Sequence, residues 1–384
     1  MEIKSAWPNK SQLLVLRAAL LPPEQAEPYW QMLIDSYDLE KLDHGCNQLL
    51  PMVFINLKDR MSKDINEKIC RSSYKFVWAN NHLLMHDAKS LLNLLKMHDV
   101  DVCLLKGAAF IGHYYAHYGM RILGDIDLLV LPNEMSALVK ILESNHYQFK
   151  SNDAGIDSRN LIKIDHAISL VNHRGTDFDV HQYLSPFLVD AKFSERLWKN
   201  KKLIDLFGNE EFTYVLSPTY QFLHTILHGL QYAPESSIRW VVDAVNLLKN
   251  SDVDIDWNEL IDVCHKHHLN LPVSQALHFL SVEIGVVIPD NITLYFSNLE
   301  ITKRDKKYYA RSSDLGFQGT IERINVSWEH YKAHALCNTK KFNVLNFYRF
   351  LLIYLEIKSS WMLLPHLVTN SLVVIFRSIN QLFK

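Results

Sequence analysis

A chain of 384 residues is long enough to bury more than one core without covalent staples, and about 150 residues per domain suggests two to three domains. Its 40 Lys and Arg balance 42 Asp and Glu to a net charge of -2, which argues against a dedicated binder of long nucleic acid, and 48% hydrophobic residues exclude bulk disorder. The five cysteines, Cys46, Cys70, Cys103, Cys264 and Cys337, are odd in number and widely spaced, so reduced thiols in a cytoplasmic protein are expected rather than a disulfide framework or structural zinc.

The N-terminal stretch MEIKSAWPNKSQLL carries no apolar run suited to secretion, and no 18-residue uncharged run suits a membrane span. The segments SQLLVLRAALL, EPYWQMLIDSY, DLEKLDHGCNQLLPMVFINLKDR and KFVWANNHLLMHDAKSLLNLLKMHD repeat apolar residues at helical spacing, with Ser11 a candidate cap and Pro22-Pro23 a break. They predict an N-terminal helical region over 1–98. The pattern changes with VDVCLL at 100–105, a strand-length run, followed by Lys106-Gly107 and then AAFIGHYYAHYGM, which reads as a helix. Gly124 opens the strand DIDLLVL, and NEMSALVKILESNHY follows as a helix with Asn133 a candidate cap. Beyond a polar loop at 151–160, HAISLVN and TDFDVHQ flank His173-Arg174-Gly175 and predict a hairpin. An α/β core is therefore expected over 99–215, and a helical domain over 216–384.

Chemistry concentrates in the strands. Alternation puts Asp125 and Asp127 on one face of DIDLLVL, opposite Ile126 and Leu128. Two such carboxylates are either solvent-facing acids on an edge strand or ligands of a cation, for which Mg²⁺ is the natural partner. Asp177, Asp179 and His181 share a face of the second candidate strand. Asp179, flanked by Phe178 and Val180, is the better third acid; Asp177 stands at the turn and is expected in solvent. His181 is expected behind the ligands or in the core rather than on a metal. Lys106 and Gly107 join a strand to a helix, either as a phosphate-binding turn or as a plain turn with a solvated lysine.

Together, LLKGAAFIGHYYAHYGMRILGDIDLLV at 104–130 and FDVHQYL at 178–184 resemble the nucleotidyltransferase fold of the DNA polymerase β superfamily. More closely, they are similar to a family of uncharacterised bacterial nucleotidyltransferases with a Lys-Gly turn and a Gly-Asp-x-Asp strand. The likeness extends through the helical region from residue 20 and through LHTILHGLQYAPESSIRWVVDAVNLL at 223–248. The turn departs from the commoner Gly-Ser or Gly-Gly in carrying Gly107-Ala108.

The resemblance implies an α+β fold, a small mixed-sheet nucleotidyltransferase core flanked by N- and C-terminal helical regions. It also implies transfer of a nucleotidyl group from an NTP with release of pyrophosphate. By the same likeness Asp125 and Asp127 hold two Mg²⁺ ions, and Asp179 holds the metal nearer the acceptor. Lys106 and Gly107 contact the triphosphate. Arg121 touches phosphate or tethers the loop before the strand. The acceptor is left open among a small molecule, a sugar phosphate, a peptide or an RNA end. A non-catalytic nucleotide-binding scaffold and a tailoring enzyme using a nucleotide-linked donor are the alternatives.

His224 and His228 share a helix face, but without a third ligand zinc is not expected. His228, Arg239 and Asp243 either close over the substrate or, for the last two, form a structural ion pair. Most aromatic residues in helical patterns, among them Trp30, Trp78, Tyr114, Tyr115, Tyr118 and Trp240, are expected in the core. The apolar C-terminal segment is expected to pack as helices; peripheral membrane contact with Lys358, Arg377 and Lys384 at the headgroups is the alternative.

Overall fold

The computed structural model describes residues 7–150, 166–185, 188–208, 211–230, 238–313, 344–354 and 360–363, together with residues 328, 331 and 365. The chain divides into two compact units, Met1–Leu128 with Asn200–Tyr309, and Leu129–Lys199 with Ala310–Lys384. Seven strands are described: β1 Cys103–Leu104, β2 Ile126–Leu129, β3 Gln148–Phe149, β4 Ala167–Val171, β5 Asp177–His181, β6 Lys202–Asp205 and β7 Phe212–Val215. They form one mixed sheet in the order β3-β4-β5-β2-β1-β7-β6.

The first unit opens with α1 Lys10–Leu20, α2 Pro23–Ser36, the short α3 His44–Asn47, α4 Leu50–Leu57 and the long α5 Ile65–Met97. The cap of α1 is Asn9 rather than Ser11: Asn9 and Gln12 exchange side-chain and backbone hydrogen bonds in a capping box. Pro23 starts α2 at its first turn, where a missing N–H costs nothing. The third predicted amphipathic segment is broken, because Asp43 caps α3 and a new helix begins at Leu50 with Pro51 in its first turn. By contrast α5 runs 33 residues without Gly or Pro from an Asp64 cap. Its buried stripe includes Val77, Asn81, Leu84, Ala88, Leu91 and Leu95.

After β1 the chain enters α6 Lys106–Ile111, which ends at Gly112. The helix predicted through Met120 is thus cut short, and residues 112–124 form a structured loop. β1 pairs in parallel with β7, and β7 pairs antiparallel with β6. Both β6 and β7 escaped the sequence reading because they are short and mixed in polarity.

In the second unit α7 Met135–Ser144 begins at Glu134 without a side-chain cap, so Asn133 does not serve as one. The predicted hairpin is present: β4 and β5 pair antiparallel with Ser169 opposite Asp179, and Gly175 at φ +84° makes the turn. α8 Ala191–Lys199 closes this stretch. The first unit then resumes with α9 Pro218–Gly229, α10 Arg239–Lys249, α11 Trp257–His267 and α12 Asn270–Val282, much as the helical pattern predicts. The later helices are α13 Asp290–Asn298, α14 Lys303–Ser313 and α15 Val344–Tyr354. Phe347 and Phe350 of α15 pack with Trp328 and Tyr331. No helix among the described residues is long and apolar enough to cross a membrane. The 151–160 loop, Cys337, Lys358, Arg377 and Lys384 lie outside the described residues.

Candidate active site

β2 is buried along its length, with Ile126 and Leu128 fully enclosed. A carboxylate in such a strand needs compensation, and Asp127 has it. Lys106 Nζ lies 2.5 Å from Asp127 Oδ1, and both side chains are largely shielded from water. The backbone brings them together, since the Leu105 amide donates to the Asp127 carbonyl at 2.9 Å. Lys106 itself is held at φ +44°, a left-handed conformation that L side chains adopt at a cost of about 1–2 kcal/mol. Such strain concentrates at functional turns.

Asp179 is half-buried on β5 and accepts a 2.6 Å hydrogen bond from Ser169 Oγ, its cross-strand neighbour. Phe178 and Val180 are fully buried on the other face. Asp177, expected in solvent, is half-buried and pairs with exposed Lys150 at 2.6 Å. His181 is buried, with its ring 5.5 Å from that of His166.

Asp127, Asp179 and His181 each present one ligand atom, and these atoms all lie within 4.8 Å of one another. Among the described residues no other group of three or more His, Cys, Asp or Glu side chains is so arranged. Two carboxylates and an imidazole suit a divalent ion that accepts oxygen and nitrogen donors. His181, expected behind the ligands or in the core, is buried and offers one of the three atoms of this group. Asp125 lies on the bend just before β2 and outside this group; its charge acts on Arg239.

The remaining predicted residues form the support of the loop before β2. Arg121 is buried and donates from Nε and Nη2 to the two oxygens of Asp243, both at 2.7 Å. Tyr115 OH donates to the same carboxylate at 2.6 Å. Burial works against the Arg121 charge, but Asp243 more than offsets it and holds the guanidinium charged. Burial and then Asp243 push the Tyr115 phenol up. Of its two expected roles, Arg121 has the geometry of the tether. Arg239 Nη1 donates to the Ile122 carbonyl at 2.9 Å, and the charges of Asp243 and Asp125 both act on its guanidinium. Burial, then neighbouring Arg121, pulls the Arg239 pKa down.

Gly107 has a packing reason for being glycine. A Cβ there would stand 2.1 Å from Arg121 Nη1 and 2.3 Å from Leu123 Cδ2, so the tether fills the space a side chain would need. His224 is buried and His228 exposed on α9, with ring centroids 6.1 Å apart.

Sequence reasoning missed Asn81. Fully buried on α5, it donates to the carbonyls of Tyr118 at 2.5 Å and Arg121 at 2.6 Å, and accepts from the Leu123 amide at 3.2 Å. An asparagine in the apolar stripe of a long helix was the available signal. Gly119 completes the contact, because the Tyr74 ring occupies the place of its Cβ.

The mixed sheet thus carries Asp127 and Asp179 on neighbouring strands, with a strained Lys-Gly turn before them in the chain. The family model described as uncharacterised nucleotidyltransferase matches residues 46–282, more than half of the chain, and the chain belongs to this family. No curated protein matches it. Among solved structures, the chain is similar to an antigenic nucleotidyltransferase-like protein from Paracoccidioides brasiliensis. The two are 16% identical over 51% of this chain and 92% of that one, with a TM-score of 0.29.

Proposed function

We propose that the protein moves a nucleotidyl group from an NTP to a hydroxyl or phosphate of a small-molecule, sugar-phosphate or peptide acceptor, releasing pyrophosphate and requiring Mg²⁺. The observation that carries this reading is the convergence of Asp127 and Asp179 with His181 in a chain of this family. Asp127, Asp179 and His181 would hold a divalent ion, and Asp125 a second one beside it. Such ions supply charge neutralisation for the triphosphate and the departing pyrophosphate.

The chain's own groups have distinct tasks. Asp179 takes the proton from the acceptor hydroxyl as its oxygen bonds to the α-phosphorus and the bridge to the β-phosphate breaks. Lys106, now on Asp127, turns its ammonium to the triphosphate. Arg121, Asp243 and Asn81 keep the entry to β2 fixed, which matters because small displacements of a reacting group cost rate steeply.

The test follows label from α-³²P-labelled NTPs into acceptors of the three classes, with pyrophosphate measured in parallel. Label transfer and pyrophosphate release, both lost in Asp127→Asn and Asp179→Asn, support the reading. Release that survives both substitutions rejects the site. Nucleotide binding without turnover across all the acceptors would instead favour the scaffold alternative.

A further inference from the structure

The sequence pattern puts Trp78 in the core, but it is 47% exposed. On the open side of α5 its ring stacks on that of His82, one turn later, with centroids 4.1 Å apart and planes inclined by 42°. The His82 ring in turn meets Tyr118 of the loop at 4.7 Å and 51°. His82 Nδ1 lies 2.8 Å from the Trp78 carbonyl, which fixes the imidazole in the stack. Three rings held in series at the surface are already ordered, so a flat ligand meeting them gives up little more of their freedom.

The stack stands close to the candidate site in the chain. Between Trp78 and His82, Asn80 and Asn81 bind the carbonyls of Leu123, Tyr118 and Arg121. Leu123 precedes Asp125 by two residues, at most about 7 Å of chain. The charge beside the rings is positive. Arg71, Lys75, Trp78 and His82 follow one another at helical spacing along one face, with Lys75 exposed and Arg71 paired to Glu67. Stacked rings with a lysine one turn away suit a flat heteroaromatic ring that carries phosphate.

We propose that Trp78, His82 and Tyr118 form a stacking subsite for a nucleobase, with Lys75 near its phosphate. The inference rests on the nucleotidyltransferase reading and deepens it. The base belongs either to the donor NTP or to a nucleotide at the end of the acceptor, and the same rings recognise both.

Stacking needs no divalent ion, which separates this test from that of the metal residues. Etheno-AMP, etheno-ATP and a 2-aminopurine ribotrinucleotide are titrated in EDTA against the full-length protein, reading quenching of probe fluorescence. Quenched binding that weakens about tenfold or more in Trp78→Ala and recovers in Trp78→Phe establishes the subsite. Weakening confined to the etheno nucleotides assigns the donor base; weakening confined to the trinucleotide assigns the acceptor. Equal binding of every probe by wild type and Trp78→Ala overturns the subsite and leaves the metal site standing. Circular dichroism of both Trp78 variants checks the fold, which an exposed side chain should not disturb.

Discussion

Lys106 combines a left-handed backbone with a shielded ion pair to Asp127, and the two features can be separated by substitution. Lys106→Ala and Lys106→Gly both remove the ammonium, but glycine also relieves the φ of +44°. Each leaves a buried carboxylate uncompensated, at about 3 kcal/mol, and the glycine variant should be the more stable of the two by about 1 kcal/mol in urea unfolding. Equal stabilities would mean that the turn relaxes without strain. Because Lys106 competes for Asp127, Lys106→Ala should also bind Mn²⁺ about tenfold more tightly than wild type, read by calorimetry as about 1.4 kcal/mol. Part of this was legible in the residues: the carboxylate of Asp127 in an apolar strand and the Lys-Gly turn each stood out separately. That Lys106 would pair with Asp127 was not legible, since it depends on a hydrogen bond between residues 105 and 127.

At the scale of elements, the loop from 112 to 124 decides whether β2 enters the site correctly. Its local sequence favours a helix, and tertiary contacts override that preference. Asn81 binds three of its backbone groups, Arg121 spans it to Asp243, and Arg239 holds Ile122. Asn81→Ala would leave those groups without partners and should lower stability by about 3 kcal/mol in chemical unfolding. It should also lower turnover, although Asn81 is far from the reacting groups in sequence. Gly107→Ala should cost about 1–3 kcal/mol, because Arg121 and Leu123 must move aside. A neutral outcome for Gly107→Ala would show that the tether is not tightly packed. The β4–β5 hairpin was readable because alternation and Gly175 agree. The loop was not readable, because its partners come from α5 and α10.

Over the whole molecule, charge balance and apolar content indicated a folded chain with mixed elements, and strong helical periodicity marked most of the helices. Strands β6 and β7 left little trace, since β1 and β7 meet across more than 100 residues of sequence. Cys46, Cys70, Cys103 and Cys264 are all buried and unpaired with one another. Burial pushes Cys46, Cys70 and Cys103 up to about 12, so about one in ten thousand of each is thiolate at pH 8. These cysteines should resist maleimide or aromatic disulfide reagents in the native protein and react once it is unfolded, as peptide mapping would record. Rapid native labelling of Cys103, beside the Lys106 turn, would contradict the packing of β1.

In the proposed site, acids from β2 and β5, with His181, share one divalent ion. The most direct measurement is Mn²⁺ binding followed by electron paramagnetic resonance, with pulsed detection of nitrogen coupling. Wild type should bind Mn²⁺ with a ¹⁴N coupling that disappears in His181→Ala, and both Asp127→Asn and Asp179→Asn should weaken binding at least about tenfold. Binding that is unchanged in either Asp variant, or a spectrum with no histidine nitrogen, would contradict it.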